Sequence, residues 1–256
     1  FVDFFDRIEN GFGISNMLPL YELYDKNFDE LQQFFIFLGL FRRCDYSASG
    51  EIIAEKELSI ENIMQNLPDN IKQNIKEHPE KIWQEGILER YQEKNLILIA
   101  PTGSGKTEFA LLWARKNGKK LLYTLPLRVA LNDLFTRFAG KNGYFDKEMV
   151  DLLHSTAFIE YLKGENGKNI SIDEKLKEIK MFASPILLTT PDQVFLSSLK
   201  FYGFDKLLSV YPFSSIVIDE IQAYDPEMVA IIIKTLEMVE KVNGNVLIIT
   251  ATFPPY

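Results

Sequence analysis

The sequence predicts an α/β protein with a mainly parallel central sheet and helices on both faces, preceded by a small all-α segment. Three observations carry this. From Asn95 onward, short β-type runs alternate with helical patterns. Those runs are too continuously apolar to leave a wet face, as expected of strands covered on both sides in a parallel sheet. Upstream, residues 28–48 (FDELQQFFIFLGLFRRCDYSA) place apolar side chains at 28, 31, 35 and 38 with largely apolar positions between them. That pattern predicts a helix buried nearly all round.

Taken in order, residues 51–80 read as a linker: polar, acidic, broken at LPDN and HPE, and carrying short helices. Strands are expected at NLILIA (95–100), KKLLYTL (119–125), PILLTT (185–190), SIVIDE (215–220) and NVLIIT (245–250). Helices are expected at 105–117, 127–139, 191–199 and 226–241. Asp225-Pro226 opens the last of these and Asn243-Gly244 closes it. Residues 163–180 (KGENGKNISIDEKLKEIK) are polar and charged, and are expected to form a mobile surface insertion without chemistry.

The 256 residues are 46% hydrophobic, enough for a substantial core. The longest apolar run, FFIFLGLF at 34–41, is far below the roughly 18–20 residues that a membrane span needs. No signal-peptide pattern opens the chain, so a cytoplasmic location is expected. The single cysteine, Cys44, excludes an internal disulfide and a thiolate zinc cage and is expected to be buried packing. Residues 1–94 carry 10 basic against 18 acidic side chains and the remainder 18 of each, so the net charge of −8 lies entirely in the first part. This argues against broad coating of nucleic acid, but not against a groove that grips a strand through amides and hydroxyls. The chain starts at Phe1 without Met and stops at TATFPPY, which reads as part of a longer polypeptide.

APTGSGKTE, Ala100–Glu108, follows an expected strand and opens an expected helix. It matches the phosphate-binding loop, with Ala100 in place of the first glycine. Gly103 and Gly105 let the backbone curl so that successive N–H groups point inward, and Thr102 and Ser104 complete the loop. Lys106 reaches the β- and γ-phosphates of ATP, and the Thr107 hydroxyl holds Mg²⁺. Such a site needs a carboxylate from a second strand end, and SIVIDE ends in two. Asp219 would hold Mg²⁺ through water while Glu220 serves as general base for the attacking water. Gln84, about twenty residues before the loop, can donate to and accept from an adenine edge. A solvent-facing glutamine is the alternative there, and an acidic strand end in solvent the alternative for Asp219-Glu220. The TAT at 250–252 places the Thr250 and Thr252 hydroxyls at the end of the next strand, where they could link the nucleotide to a bound nucleic acid.

The succession Gln84, APTGSGKTE, TLPLRVAL, TTPDQV, DEIQAYD and TATFP resembles the first RecA-like domain of superfamily 2 helicases, over 81–256. More narrowly, DEIQAYD, LLHS and TATFP are similar to the CRISPR-associated helicase-nuclease of type I systems, which usually shows His where this chain has Gln222. The resemblance implies ATP-driven movement along single-stranded DNA and degradation of targets marked by the Cascade complex. It implies strand contacts from Arg128, Thr189, Thr190, Asp192, Thr250 and Thr252, and a nucleotide-side relay at Gln222. It also implies a second RecA-like domain supplying an arginine to the phosphates, so these residues alone are expected to bind ATP weakly and hydrolyse it very slowly. Residues 1–50 would be the C-terminal helices of an HD-type nuclease domain that uses a divalent transition metal. In RRCDYSASG, Asp45 would match its last metal-binding Asp and Ser49 a nearby serine. The only histidines, His78 and His154, are not followed by Asp, so no complete nuclease site is expected within the chain. Three alternatives stay open: a repair or restriction helicase, a non-catalytic nucleotide-switched binding module, and a small-molecule kinase.

Overall fold

The computed structural model describes residues 28–56, 59–73, 82–141, 143–154, 177–200 and 203–252. Six strands pair in one sheet: β1 (Leu96–Ile99), β2 (Lys120–Thr124), β3 (Val150–Leu153), β4 (Ile186–Thr189), β5 (Ser214–Asp219) and β6 (Asn245–Thr250). All neighbours are parallel, in the order β1-β6-β5-β2-β4-β3. Every residue of β3, β4 and β5 is buried, which requires cover on both faces and accounts for the apolar runs. Five strands lie where the apolar runs placed them. β3 had not been expected: its four residues include a buried aspartate, Asp151, bonded by Ser184, and that polar centre hides the strand from a hydrophobicity reading.

The helices, numbered along the chain, are α1 (Phe28–Gly50), α2 (Ile60–Ile63), α3 (Leu67–Gln73), α4 (Trp83–Arg90), α5 (Lys106–Asn117), α6 (Arg128–Ala139), α7 (Pro191–Val194), α8 (Phe204–Leu208) and α9 (Pro226–Lys241). α5 lies against β2, β5 and β6, α6 against β3 and β4, and α9 against β6. α5 ends at Gly118 in the left-handed conformation (φ 66°), with Arg115 and Lys116 in its last turn. α9 opens as its sequence predicts: the Asp225 carboxylate accepts from the Met228 N–H at 2.7 Å, ahead of Pro226 in the first turn. The helix expected at 191–199 is shorter. It stops at Val194 and gives way to a 3₁₀ turn, Leu196–Leu199.

α1 departs from expectation in its burial. Phe35, Gly39 and Arg43 form a buried stripe at four-residue spacing, while Phe37 and Phe41 are 65% and 61% exposed. The buried stripe meets α8. The Phe35 ring lies 5.3 Å from that of Phe204, Arg42 pairs with Asp205 at 2.7 Å, and the Asp205 carbonyl stands where a Cβ on Gly39 would sit. Cys44 is exposed, not buried, because it projects from the opposite side.

The segment read as a linker carries core residues. Ile60, Met64, Leu67 and Ile71 are buried, and α2 and α3 pack on α5. Ile179, inside the expected surface insertion, is also fully buried, in a helical turn at 177–180. Residues 163–176 of that insertion, the 1–27 portion of the proposed nuclease tail, and His78 lie outside the described residues. No described helix is long and apolar enough to cross a membrane.

Because all strands run the same way, their C-terminal ends share one edge. Ile99 pairs with Thr250, Asp219 with Ile249, and Thr124 with both Ile218 and Thr189. Whatever follows those residues is gathered there, the usual place for ligands in such sheets.

Candidate nucleotide site

The loop between β1 and α5 has its two internal glycines in the left-handed region, Gly103 at φ 79° and Gly105 at φ 89°, where a side chain would be strained. At Gly105 the space is also taken, since a Cβ would stand 2.5 Å from Gln84 Nε2. Three further bonds brace the loop. Gln84 Nε2 donates to Gly105 O at 3.2 Å, Trp83 Nε1 to Ser104 O at 2.9 Å, and Ser104 Oγ to Pro101 O at 2.7 Å. Trp83 stacks on Phe109, with ring planes 8° apart and centroids 5.8 Å apart, so α4 is clamped to α5 beside the loop. Gln84 is not a surface residue: it is buried, and its Oε1 has no protein partner. The acceptor it retains is the one a 6-aminopurine would use.

A cavity of about 800 Å³ opens over this loop, lined by Thr102–Glu108, Ile71, Ile82, Trp83, Gln84, Arg137, Tyr144, Asp219 and Glu220. The two candidate halves, phosphate loop and paired carboxylates, thus face one space. Lys106 is largely buried, its Nζ 3.3 Å from Pro101 O. Asp219 is 8% exposed. Its Oδ2 accepts from the Tyr123 hydroxyl at 2.5 Å, and its Oδ1 is buried without a protein partner. Burial pushes the Asp219 carboxyl up, against the pull of the Tyr123 hydrogen bond. A buried, unpartnered carboxylate oxygen on a residue that lines one cavity with Thr107 of the GKT loop fits a hard divalent cation.

Glu220 has φ 55°, an uncommon conformation for a non-glycine residue. Its N–H donates to Ile249 O at 2.9 Å, which ties the end of β5 to β6. The Glu220 carboxylate accepts from Gln222 Nε2, and Gln222 Oε1 lies 2.6 Å from the Thr250 hydroxyl, which in turn accepts from the Thr252 N–H at 3.2 Å. A continuous polar path therefore runs from Glu220 through Gln222 to Thr250 and Thr252.

The remaining sequence candidates divide. Arg128 is exposed at the start of α6, between exposed Leu127 and Val129, and Thr252 is exposed. Thr190 precedes α7 but makes no side-chain cap bond, and Asp192 accepts from Gln193. Thr189 and Thr250 have no exposed surface. Thr189 donates to Leu153 O at 2.8 Å and is a sheet residue, so the strand contact expected of it is corrected. His154 is buried, with Nε2 2.9 Å from Asn132 Oδ1. Asp45 and Ser49 are exposed, and among the described residues no group of three His, Cys, Asp or Glu side chains is placed to hold a metal ion.

Beside the apolar Ile71 and Ile82, five lining or supporting residues escaped the sequence reading. Trp83 and Glu108 flank recognised positions and were within reach of it. Arg137 and Tyr144, both bonded to the Glu108 carboxylate, come from α6 and the loop after it and carry no local signal. Tyr123, inside a strand, reads simply as core.

Residues 80–256 match the DEAD/DEAH box helicase family. The chain belongs to that family. This DEAD/DEAH box helicase chain is 49% identical over 245 residues, 95% of its length, to the CRISPR-associated nuclease/helicase Cas3 of Methanothermobacter thermautotrophicus, of which it covers 28%. It is 31% identical over 185 residues, 66% of its length, to a putative CRISPR-associated nuclease/helicase Cas3 of Methanocaldococcus jannaschii, covering 24% of that protein. The chain thus spans about a quarter of these relatives. Its fold is similar to the crystal structure of T. fusca Cas3-ADP, with a TM-score of 0.57 at 21% identity over 73% of this chain and 22% of that one. The T. fusca Cas3-ATP structure gives a TM-score of 0.52 at 23% identity over 60% and 18%.

Proposed function

We propose that this chain is the ATP-hydrolysing motor of a single-stranded DNA translocase within a type I CRISPR effector nuclease, one that degrades DNA marked by a Cascade complex. The carrying observation is the shared cavity, lined on one side by the GSGKT loop and on the other by Asp219 and Glu220. Similarity over 95% of the chain to a nuclease/helicase supports the wider assignment.

ATP would rest its phosphates on the loop amides, with Lys106 neutralising the β- and γ-phosphates and Gln84 accepting from the adenine amino group. Thr107 and Asp219 would hold Mg²⁺, Asp219 through water. The ion, when bound, withdraws charge from the phosphate oxygens. Glu220 would take the proton of the attacking water, its carboxylate steered by Gln222. Arg128, Thr190, Asp192 and Thr252 would touch the strand, through charge, hydroxyl and backbone groups that read no sequence. A second RecA-like domain would close the cavity and bring an arginine to the γ-phosphate. Residues 28–50 would be the closing helix of an HD nuclease domain, with Asp45 one ligand of its transition metal and the other ligands outside this chain.

Glu220→Gln in the full-length protein tests the reading. ATP binding should persist while strand-stimulated hydrolysis falls at least about a hundredfold. Hydrolysis at the parental rate, or failure of the parent to bind ATP, would overturn it.

A further inference from the structure

Tyr123 lies within β2 with no exposed surface, its ring edge-on to Phe138. Its neighbour across the sheet is Val217 of β5, two residues before Asp219. The phenol oxygen is 2.5 Å from Asp219 Oδ2. It therefore ties β2 to the β5 carboxylate that would hold the cation.

Proton counting fixes the direction of this bond. An ionised carboxylate only accepts, so the single phenol proton goes to Asp219 Oδ2. Oδ2 is thus taken by the phenol while Oδ1, buried and unpartnered, is left for the cation's water.

We propose that Tyr123 is a positioning residue for magnesium: it orients the Asp219 carboxylate by holding Oδ2, so that Oδ1 presents its lone pairs to the ion's shell before the ion arrives. This rests on the nucleotide-site reading above. Partners that orient metal ligands in this way typically change metal affinity by about 10- to 100-fold when removed.

The test is binding of a fluorescent ADP analogue to the full-length protein, titrated with Mg²⁺, for parent and Tyr123→Phe. The variant should bind the metal-free analogue as the parent does. The Mg²⁺ concentration that gives half of the metal-dependent gain should rise about tenfold. Equal Mg²⁺ dependence in the two proteins would overturn the inference while leaving the nucleotide site intact. If the parent shows no Mg²⁺-dependent gain at all, the site reading fails and the inference falls with it. Fluorotyrosine at position 123 keeps ring and donor and gives a second measurement that does not depend on the phenylalanine variant folding. Its fluorine NMR signal should be unmoved by metal-free ADP and should shift when Mg²⁺ follows. A signal indifferent to Mg²⁺ would overturn the proposal.

Discussion

An amide can accept and donate at once without titrating, and Gln222 uses both capacities, holding the Glu220 carboxylate with its Nε2 and the Thr250 hydroxyl with its Oε1. The residue next to the candidate general base is thereby wired to the end of the neighbouring strand. Gln222→Ala should leave ATP affinity within about twofold and cut strand stimulation of hydrolysis about tenfold, the worth of one well-placed hydrogen bond. Gln222→His, which restores a donor and an acceptor, should recover most of it. ATPase assays with and without single-stranded DNA measure both. At this scale the sequence was informative where chemistry sits in consecutive residues. Lys106, Thr107, Asp219 and Glu220 could be named from their runs because a loop and a strand end are local objects. Tyr123, Arg137 and Tyr144 could not, since an aromatic or a lone arginine becomes a site residue only when distant elements meet. Thr189 misled for the reverse reason: a hydroxyl at a strand end looks available until a neighbouring strand claims it.

At the scale of elements, continuous apolar runs located five strands, and the caps located α9 almost to the residue. What could not be read was how elements share cover. The apolar richness of α1 suggested burial all round, yet only the side facing α8 is buried. That contact depends on Gly39, whose missing side chain admits the Asp205 carbonyl. Gly39→Ala should therefore push α1 off α8, although alanine is the better helix former in isolation. Hydrogen exchange should show earlier loss of protection in α1 than in β5, and thermal unfolding should begin at lower temperature. A uniformly protected α1 in the variant would mean that the Arg42–Asp205 pair and Phe35 suffice on their own.

At the scale of the whole molecule, the end of the sheet opposite the cavity is held by charge. Lys120 begins β2, donates to Phe182 O at 2.7 Å and pairs with Glu55, which also pairs with Arg43 from α1. Burial brings the Lys120 ammonium down to about 8, with Glu55 opposing and Arg43 assisting. The sign follows from proton binding. Between about pH 8 and the ordinary lysine value of 10.5, the unfolded chain holds this proton more often than the folded one, so this residue's contribution to stability rises with pH across that window. The slope is at most about 1.4 kcal/mol per pH unit. Denaturant melts of parent and Lys120→Met at pH 8 and 10 should differ by that rise; parallel curves would place the lysine in water.

The outer edge of β1 sets a different property of the molecule. Ile97 and Ile99 are 60% and 57% exposed on a strand that, among the described residues, pairs only with β6. Unsatisfied backbone groups beside exposed β-branched side chains form a template for another strand. Colloidally, then, this edge is a sticky line on the described surface: as concentration rises, two such domains should meet through it before either unfolds.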